Sequence, residues 1–97
     1  MSRRPAVLVV EDHQAERDAI ARLLRMERHE VLTARDPQEA LGHLDEPIGL
    51  VISDLRMGQA TGVELLRDWK QQWPDTPFII LTAHGDDVAA SFVARRR

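Results

Sequence analysis

The chain has 97 residues, of which 43% are hydrophobic and 30% charged, with a formal net charge of −3. That composition fits one small globular domain over residues 1–97 and argues against disorder, while the mildly acidic balance gives no electrostatic case for direct nucleic-acid binding by this segment. With no cysteine, disulfides, thiolate metal sites and cysteine nucleophiles are excluded. The apolar runs are too short to span a bilayer, and Ser2-Arg3-Arg4-Pro5 does not open a signal peptide, so no membrane contact and a cytoplasmic location are expected.

In chain order, strand-like and helix-like patterns alternate. Ala6 to Val10 (AVLVV) is a continuous Val-rich run, which predicts a strand buried on both faces, as in a parallel sheet. Ala15, Ala19, Ile20, Leu23 and Leu24 recur at helical spacing, which predicts a helix over Gln14 to Met26 with those residues on its core face. Glu30 to Ala34 reads as a weaker strand. Asp36-Pro37-Gln38-Glu39 is a helix start, with Asp36 as cap, Pro37 at the first helical position, and Ala40, Leu41 and Leu44 as the apolar face. Leu50 to Ser53 is a third strand ending at Asp54.

Thr61 and Glu64 form a second capping box, followed by Leu65, Leu66, Trp69 and Trp73 on one side, and Pro74 ends that helix. Both tryptophans read as core packing with a partly wet edge. Phe78 to Leu81 is a fourth strand reaching Thr82 and Ala83, and Gly85-Asp86 leads into a helix over Val88 to Val93. This alternation predicts an α/β fold, a parallel sheet with right-handed crossovers and helices on both faces in three layers.

In an open parallel sheet, ligands bind beyond the C-terminal ends of the strands. Glu11 and Asp12 follow the first strand, Asp54 ends the third and Thr82 the fourth. Carboxylates brought together repel and raise one another's pKa, and a hard divalent cation such as Mg²⁺, bound by oxygen ligands, resolves the repulsion. A carboxylate can also act as a nucleophile toward phosphorus and become an aspartyl phosphate. Asp54 is the nucleophile candidate, because the loop after it keeps its carboxylate accessible. His13, His29, His43 and His84 show no ligand spacing and read as surface residues, with only His84 near the site.

These residues, VLVVED, VISDLRM with Gly62 further on, and FIILTAHGD, resemble the receiver domain of two-component response regulators over essentially the whole chain. The resemblance implies a doubly wound, flavodoxin-like sheet of order 2-1-3-4. It implies Asp54 as phosphoacceptor, loaded by a sensor histidine kinase or a small phosphodonor. Mg²⁺ (or Mn²⁺) would be held by Asp12, Asp54 and the backbone carbonyl of Arg56, with Glu11 acting through water. Thr82 would be the switch hydroxyl, and Arg56, Met57, Ala83 and His84 near-site modulators. LTAHGD resembles receivers of nitrogen-regulation-type transcription activators, which implies an output domain or partner protein and transcription regulation. Its chemistry would be no more than phosphorylation and dephosphorylation of its own aspartate.

Two departures from the family pattern stand out. Gly58 follows Met57 where the family usually has proline, which predicts a less rigid loop. No lysine follows Lys70, so the family's lysine-bearing fifth strand and fifth helix are missing, and the chain reads as the N-terminal portion of a receiver. An open fourth-strand edge is then expected, with a homodimer through that edge or through the fourth-helix region.

Two other functions stand beside the switch. A phosphorylation-silent interaction module would fit the missing lysine. An aspartate-nucleophile phosphatase would need a second aspartate two residues after Asp54, where Arg56 stands.

Overall fold

The structure is a computed structural model that describes the backbone of residues 4–84 and 87–93 and the side chains of residues 4–81. Strand β1 (Ala6–Val10) is the centre, with every residue buried. It is flanked in parallel by β2 (Val31–Ala34) and β3 (Ile48–Asp54), with Val10 opposite Ala34 and Ser53. β3 pairs in parallel with β6 (Phe78–His84), Asp54 lying opposite Leu81. The sheet order is β2-β1-β3-β6-β7, and its four parallel strands give the expected 2-1-3-4 arrangement.

Because β1 is covered on both sides, its alternate residues feed two cores. Val7 and Val9 pack with Ala21, Ile20 and Leu24 of α1 (Gln14–Met26). Leu8 and Val10 pack on the other face with Ala40 of α2 (Pro37–Leu41) and with Leu65 and Trp69 of α3 (Gly62–Gln72). Three layers result. Asp36 Oδ1 accepts from the Glu39 N–H at 2.8 Å, and Thr61 Oγ1 accepts from the Glu64 N–H at 3.2 Å, so both caps hold. Trp69 is fully buried, whereas Trp73 is 43% exposed and donates Nε1–H to the Leu44 carbonyl at 2.8 Å.

Two expectations are corrected. The core face of α1 is Ile20, Ala21 and Leu24, while Ala15, Ala19 and Leu23 are exposed. Apolar residues cover a broad arc of this helix, and the sheet selects the stripe within it that fits. The segment expected as a helix over Val88 to Val93 is instead strand β7 (Asp87–Val93), antiparallel to β6, with Phe78 opposite Val93 and His84 opposite Asp87. The apolar β6 leaves a row of N–H and C=O groups open on the side away from β3, and a paired strand satisfies that row. The open fourth-strand edge is therefore absent, and the fourth-helix surface expected for a homodimer is a strand. The turn at Gly85-Asp86 lies outside the described residues.

Between β3 and α3 the chain makes a small hairpin of β4 (Arg56–Met57) and β5 (Ala60–Thr61), with Met57 opposite Ala60. Gly58 sits in its two-residue turn at φ +67°, and Arg28 is the only non-glycine at positive φ among the described residues. A positive φ at the first turn position and a negative one at the second is the glycine-first hairpin turn. Gly58 thus closes the hairpin. Proline, fixed near φ −65°, could not stand there.

Candidate functional site

Each carboxylate of the site is delivered by a strand end. The Glu11 N–H still bonds the Ala34 carbonyl at 2.9 Å, so the sheet holds the chain one residue past β1. Glu11 is 5% exposed, its Oε2 accepts the His13 N–H at 2.9 Å, and its carbonyl accepts an Arg17 guanidinium N–H at 2.9 Å. Asp12 is more open. At the end of β3, Asp54 Oδ1 accepts the Leu55 N–H at 2.9 Å, which leaves Oδ2 without a hydrogen bond among the described residues. The buried Ser53 donates its Oγ–H to the Asp54 carbonyl at 2.9 Å.

Gly62 explains how the strand end is braced. Its N–H donates to the Leu55 carbonyl at 2.7 Å, and a Cβ there would lie 2.5 Å from the Asp54 carbonyl oxygen and 3.0 Å from Ser53 Oγ. Only glycine lets the start of α3 come this close to the phosphoacceptor candidate.

Glu11, Asp12 and Asp54 each offer an oxygen, and the three lie within 4.8 Å of one another. Burial pushes the Glu11 carboxyl above its ordinary value; the His13 N–H opposes this, and Asp54, Asp12 and Glu16 add to it. Asp54 is also raised, first by burial, against the pull of the Leu55 N–H, with Asp12 and Glu16 contributing repulsion. Two carboxyls that resist ionising, Glu11 and Asp54, gathered with the Asp12 oxygen, are the donor set a hard divalent cation suits. The residues present therefore fit Mg²⁺.

The hairpin frees the Arg56 carbonyl. Met57–Ala60 closes the two-residue turn, and the Gly62 N–H bonds Leu55. Antiparallel pairs alternate, so Arg56–Thr61 between them is the pair without mutual hydrogen bonds, and the Arg56 carbonyl turns away from β5. Met57, expected near the site, is 4% exposed and belongs to the core on the α2–α3 face. Thr82 follows Leu81, the register partner of Asp54, so its backbone reaches the same rim. The side chains of Thr82, Ala83 and His84 lie outside the described residues.

His13 is the surface residue expected, 73% exposed, but it lies beside the acidic cluster, where His84 alone was expected. Its Nδ1 lies 3.3 Å from Asp12 Oδ1, 3.4 Å from Glu11 Oε2 and 3.7 Å from Glu16 Oε1. The hydrogen bond to Glu11, then the charges of Asp12 and Glu16, raise its pKa. The signal was local: His13 stands at the first position before the helix, directly after Glu11-Asp12, and Glu16 is one turn on. The sole lysine, Lys70, is held elsewhere, by the Pro74 and Thr76 carbonyls at 3.1 and 2.6 Å.

A parallel sheet with an acidic cluster beyond β1 and β3 is the architecture of a receiver. Residues 7–96 match the family model described as the response regulator receiver domain, and the chain belongs to that family. Response regulator RR06 of Streptococcus pneumoniae is 39% identical over 88 residues, 90% of this chain and 40% of its own. The transcriptional regulatory protein GlrR of Escherichia coli is 41% identical over 96 residues, 94% of this chain and 22% of its own. The chain thus spans less than half the length of these relatives.

Among solved structures, the chemotaxis protein CheY4 of Vibrio cholerae superposes with a TM-score of 0.79 at 30% identity, over 87% of this chain and 72% of that one. The response regulator TrrA of Thermotoga maritima, in complex with Mg²⁺ and beryllofluoride, gives 0.78 at 30% identity, over 84% and 72%.

Proposed function

We propose that this chain is a phosphoacceptor receiver in a two-component phosphorelay, with Asp54 as the residue phosphorylated by a sensor histidine kinase. The observation that carries this reading is the trio Glu11, Asp12 and Asp54, gathered within 4.8 Å at the strand ends. Asp54 Oδ2, the oxygen left free by the Leu55 N–H, attacks phosphorus. The bond from phosphorus to the donor's imidazole nitrogen breaks, its electron pair stays on that nitrogen, and an acyl phosphate forms on Asp54. Asp12, Asp54 and the Arg56 carbonyl would hold Mg²⁺ (or Mn²⁺), with Glu11 acting through water. That ion supplies neutralisation of charge on the phosphoryl oxygens. Glu11 and Ser53 fix the strand ends, and Gly62 keeps the floor under Asp54 narrow.

Thr82 is the switch hydroxyl of this reading, drawn to the new charge, with Arg56, Ala83 and His84 tuning phosphoryl lifetime. The output is transcription regulation through an output domain or partner protein, in the cytoplasm; the relatives' names as transcriptional regulators support it. Among the described residues no helix is long and apolar enough to cross a membrane.

Titration with beryllofluoride and Mg²⁺, followed by amide NMR, is the test. Shifts at residues 11–13, 54–56 and 81–83 that vanish in Asp54→Asn are expected. An unresponsive wild type would end the reading and leave the second one, a phosphorylation-silent interaction module.

A further inference from the structure

The pairing of β6 with β7 moves the open edge outward by one strand without closing it. β7 is the last strand of the sheet, and among the described residues no strand pairs with its outer side. Which of its groups face outward follows from β6. The Pro77 carbonyl accepts the Val51 N–H at 3.1 Å and the Leu81 carbonyl accepts the Leu55 N–H at 3.0 Å, so the odd-numbered residues of β6 serve β3. The even-numbered ones serve β7, where their partners are Val93, Ser91, Ala89 and Asp87. Val88, Ala90 and Phe92 therefore turn their N–H and C=O groups away from the sheet.

The opposite edge of the sheet differs. β2 has only four residues. The Glu30 and Ala34 carbonyls bond β1, so Val31 faces outward, and Arg25 donates a guanidinium N–H to the Val31 carbonyl at 3.3 Å. A side chain thus already caps part of that edge. β7 spans seven residues, and Val88 to Val93 holds no charge, no proline and no glycine, the composition that leaves an edge free to pair.

We propose that β7 is a self-association edge whose occupant is β7 of a second copy of this chain, antiparallel about a two-fold axis at Ala90. The row of outward groups is complementary to itself. Ala90 pairs with the partner's Ala90 and Val88 with the partner's Phe92, each pair exchanging two hydrogen bonds, about six in all. Such a contact is isologous and consumes both β7 edges; with β2 capped by Arg25, assembly stops at two copies. Because β6 runs in opposite directions in the two copies, their acidic clusters stand at opposite ends of one continuous sheet. None of this depends on phosphorylation of Asp54.

The test is sedimentation velocity of the whole chain over a series from micromolar to millimolar concentration. Wild type shifts from monomer to dimer. Ala90→Pro removes an outward N–H and leaves the bonds to β6 in place, and it raises the dissociation constant by at least about tenfold; circular dichroism reads whether it folds. A second variant does not depend on a lost bond. The chain has no cysteine, and Cα atoms about 5.5 Å apart in a hydrogen-bonded pair lie within disulfide reach. Ala90→Cys therefore forms a disulfide-linked dimer on mild oxidation, whereas Leu23→Cys, at an exposed position of α1, does not.

A wild type that stays monomeric at millimolar concentration would overturn the proposal. So would a dimer that a folded Ala90→Pro keeps at full strength, or one cross-linked through Leu23→Cys and not through Ala90→Cys, which would put the contact on α1. Growth past the dimer into fibres would contradict the isologous pairing. A dimer that depends on Ala90, in a chain unresponsive to Mg²⁺ and beryllofluoride, would uphold this edge and remove the receiver chemistry alone.

Discussion

Asp54 and Glu11 ionise against burial and against each other, which has a consequence for the metal-free chain. Their folded pKa values lie above those of ordinary, solvent-exposed carboxylates. Between the ordinary and the raised values the folded state holds more protons than the unfolded one, so stability is greatest at low pH and falls as pH rises through the window. Urea melts without metal from about pH 4 to about pH 7 should show that fall, with Mg²⁺ restoring stability at the upper end. A rise, with no effect of Mg²⁺, would contradict the placement of these carboxylates. Asp54→Asn removes the repulsion and should stabilise the metal-free chain at neutral pH by less than about 1 kcal/mol, the charges being partly screened. The same melts measure it, and saturating Mg²⁺ should erase the gain. The carboxylates themselves were legible in the sequence, because each follows a buried run. His13 was not, since its closeness to Glu16 depends on the helix starting immediately after it.

At the level of elements, Gly62 is the position least replaceable near the site. Gly62→Ala would push a Cβ to 2.5 Å from the Asp54 carbonyl oxygen, at a cost of about 1–3 kcal/mol and with a displaced Asp54. Chemical denaturation reads the first effect, and loss of the beryllofluoride response the second. The end of α1 offers the opposite change. The His29 N–H bonds the Leu24 carbonyl and the Arg28 N–H bonds Arg25, while Arg28 holds φ 70°, the left-handed closure of a helix that glycine favours. Arg28→Gly should therefore stabilise by about 1 kcal/mol, visible as a higher urea midpoint. Helix starts were readable from Asp36 and Thr61 because a cap is a local hydrogen bond. The face of α1 was not, because Ala15, Ala19 and Leu23 continue the apolar pattern beyond the stripe that the sheet covers. The β4–β5 hairpin hid in RMGQAT, which is too short to show a period, although Gly58 marked its turn.

For the molecule as a whole, parallel topology converts four separate strand ends into one rim, and that step was legible from the alternation of runs. What closes the far side of β6 was not. DVAASFV holds apolar residues at spacings that suit either helix or strand, and the choice belongs to the hydrogen-bonding row that β6 leaves open. Hydrogen exchange checks the result: amides of Ile79 to Leu81, between β3 and β7, should exchange more slowly than those of β2, an edge strand. Equal, fast exchange in β6 would mean that β7 does not cover it. The central claim is covalent, and it is tested most directly by intact-mass spectrometry after incubation with a small acyl-phosphate donor and Mg²⁺. The account predicts the gain of a single phosphoryl group that is lost with a chelator and in Asp54→Asn. A folded wild type that gains nothing, or an Asp54→Asn variant that gains as much, would contradict it.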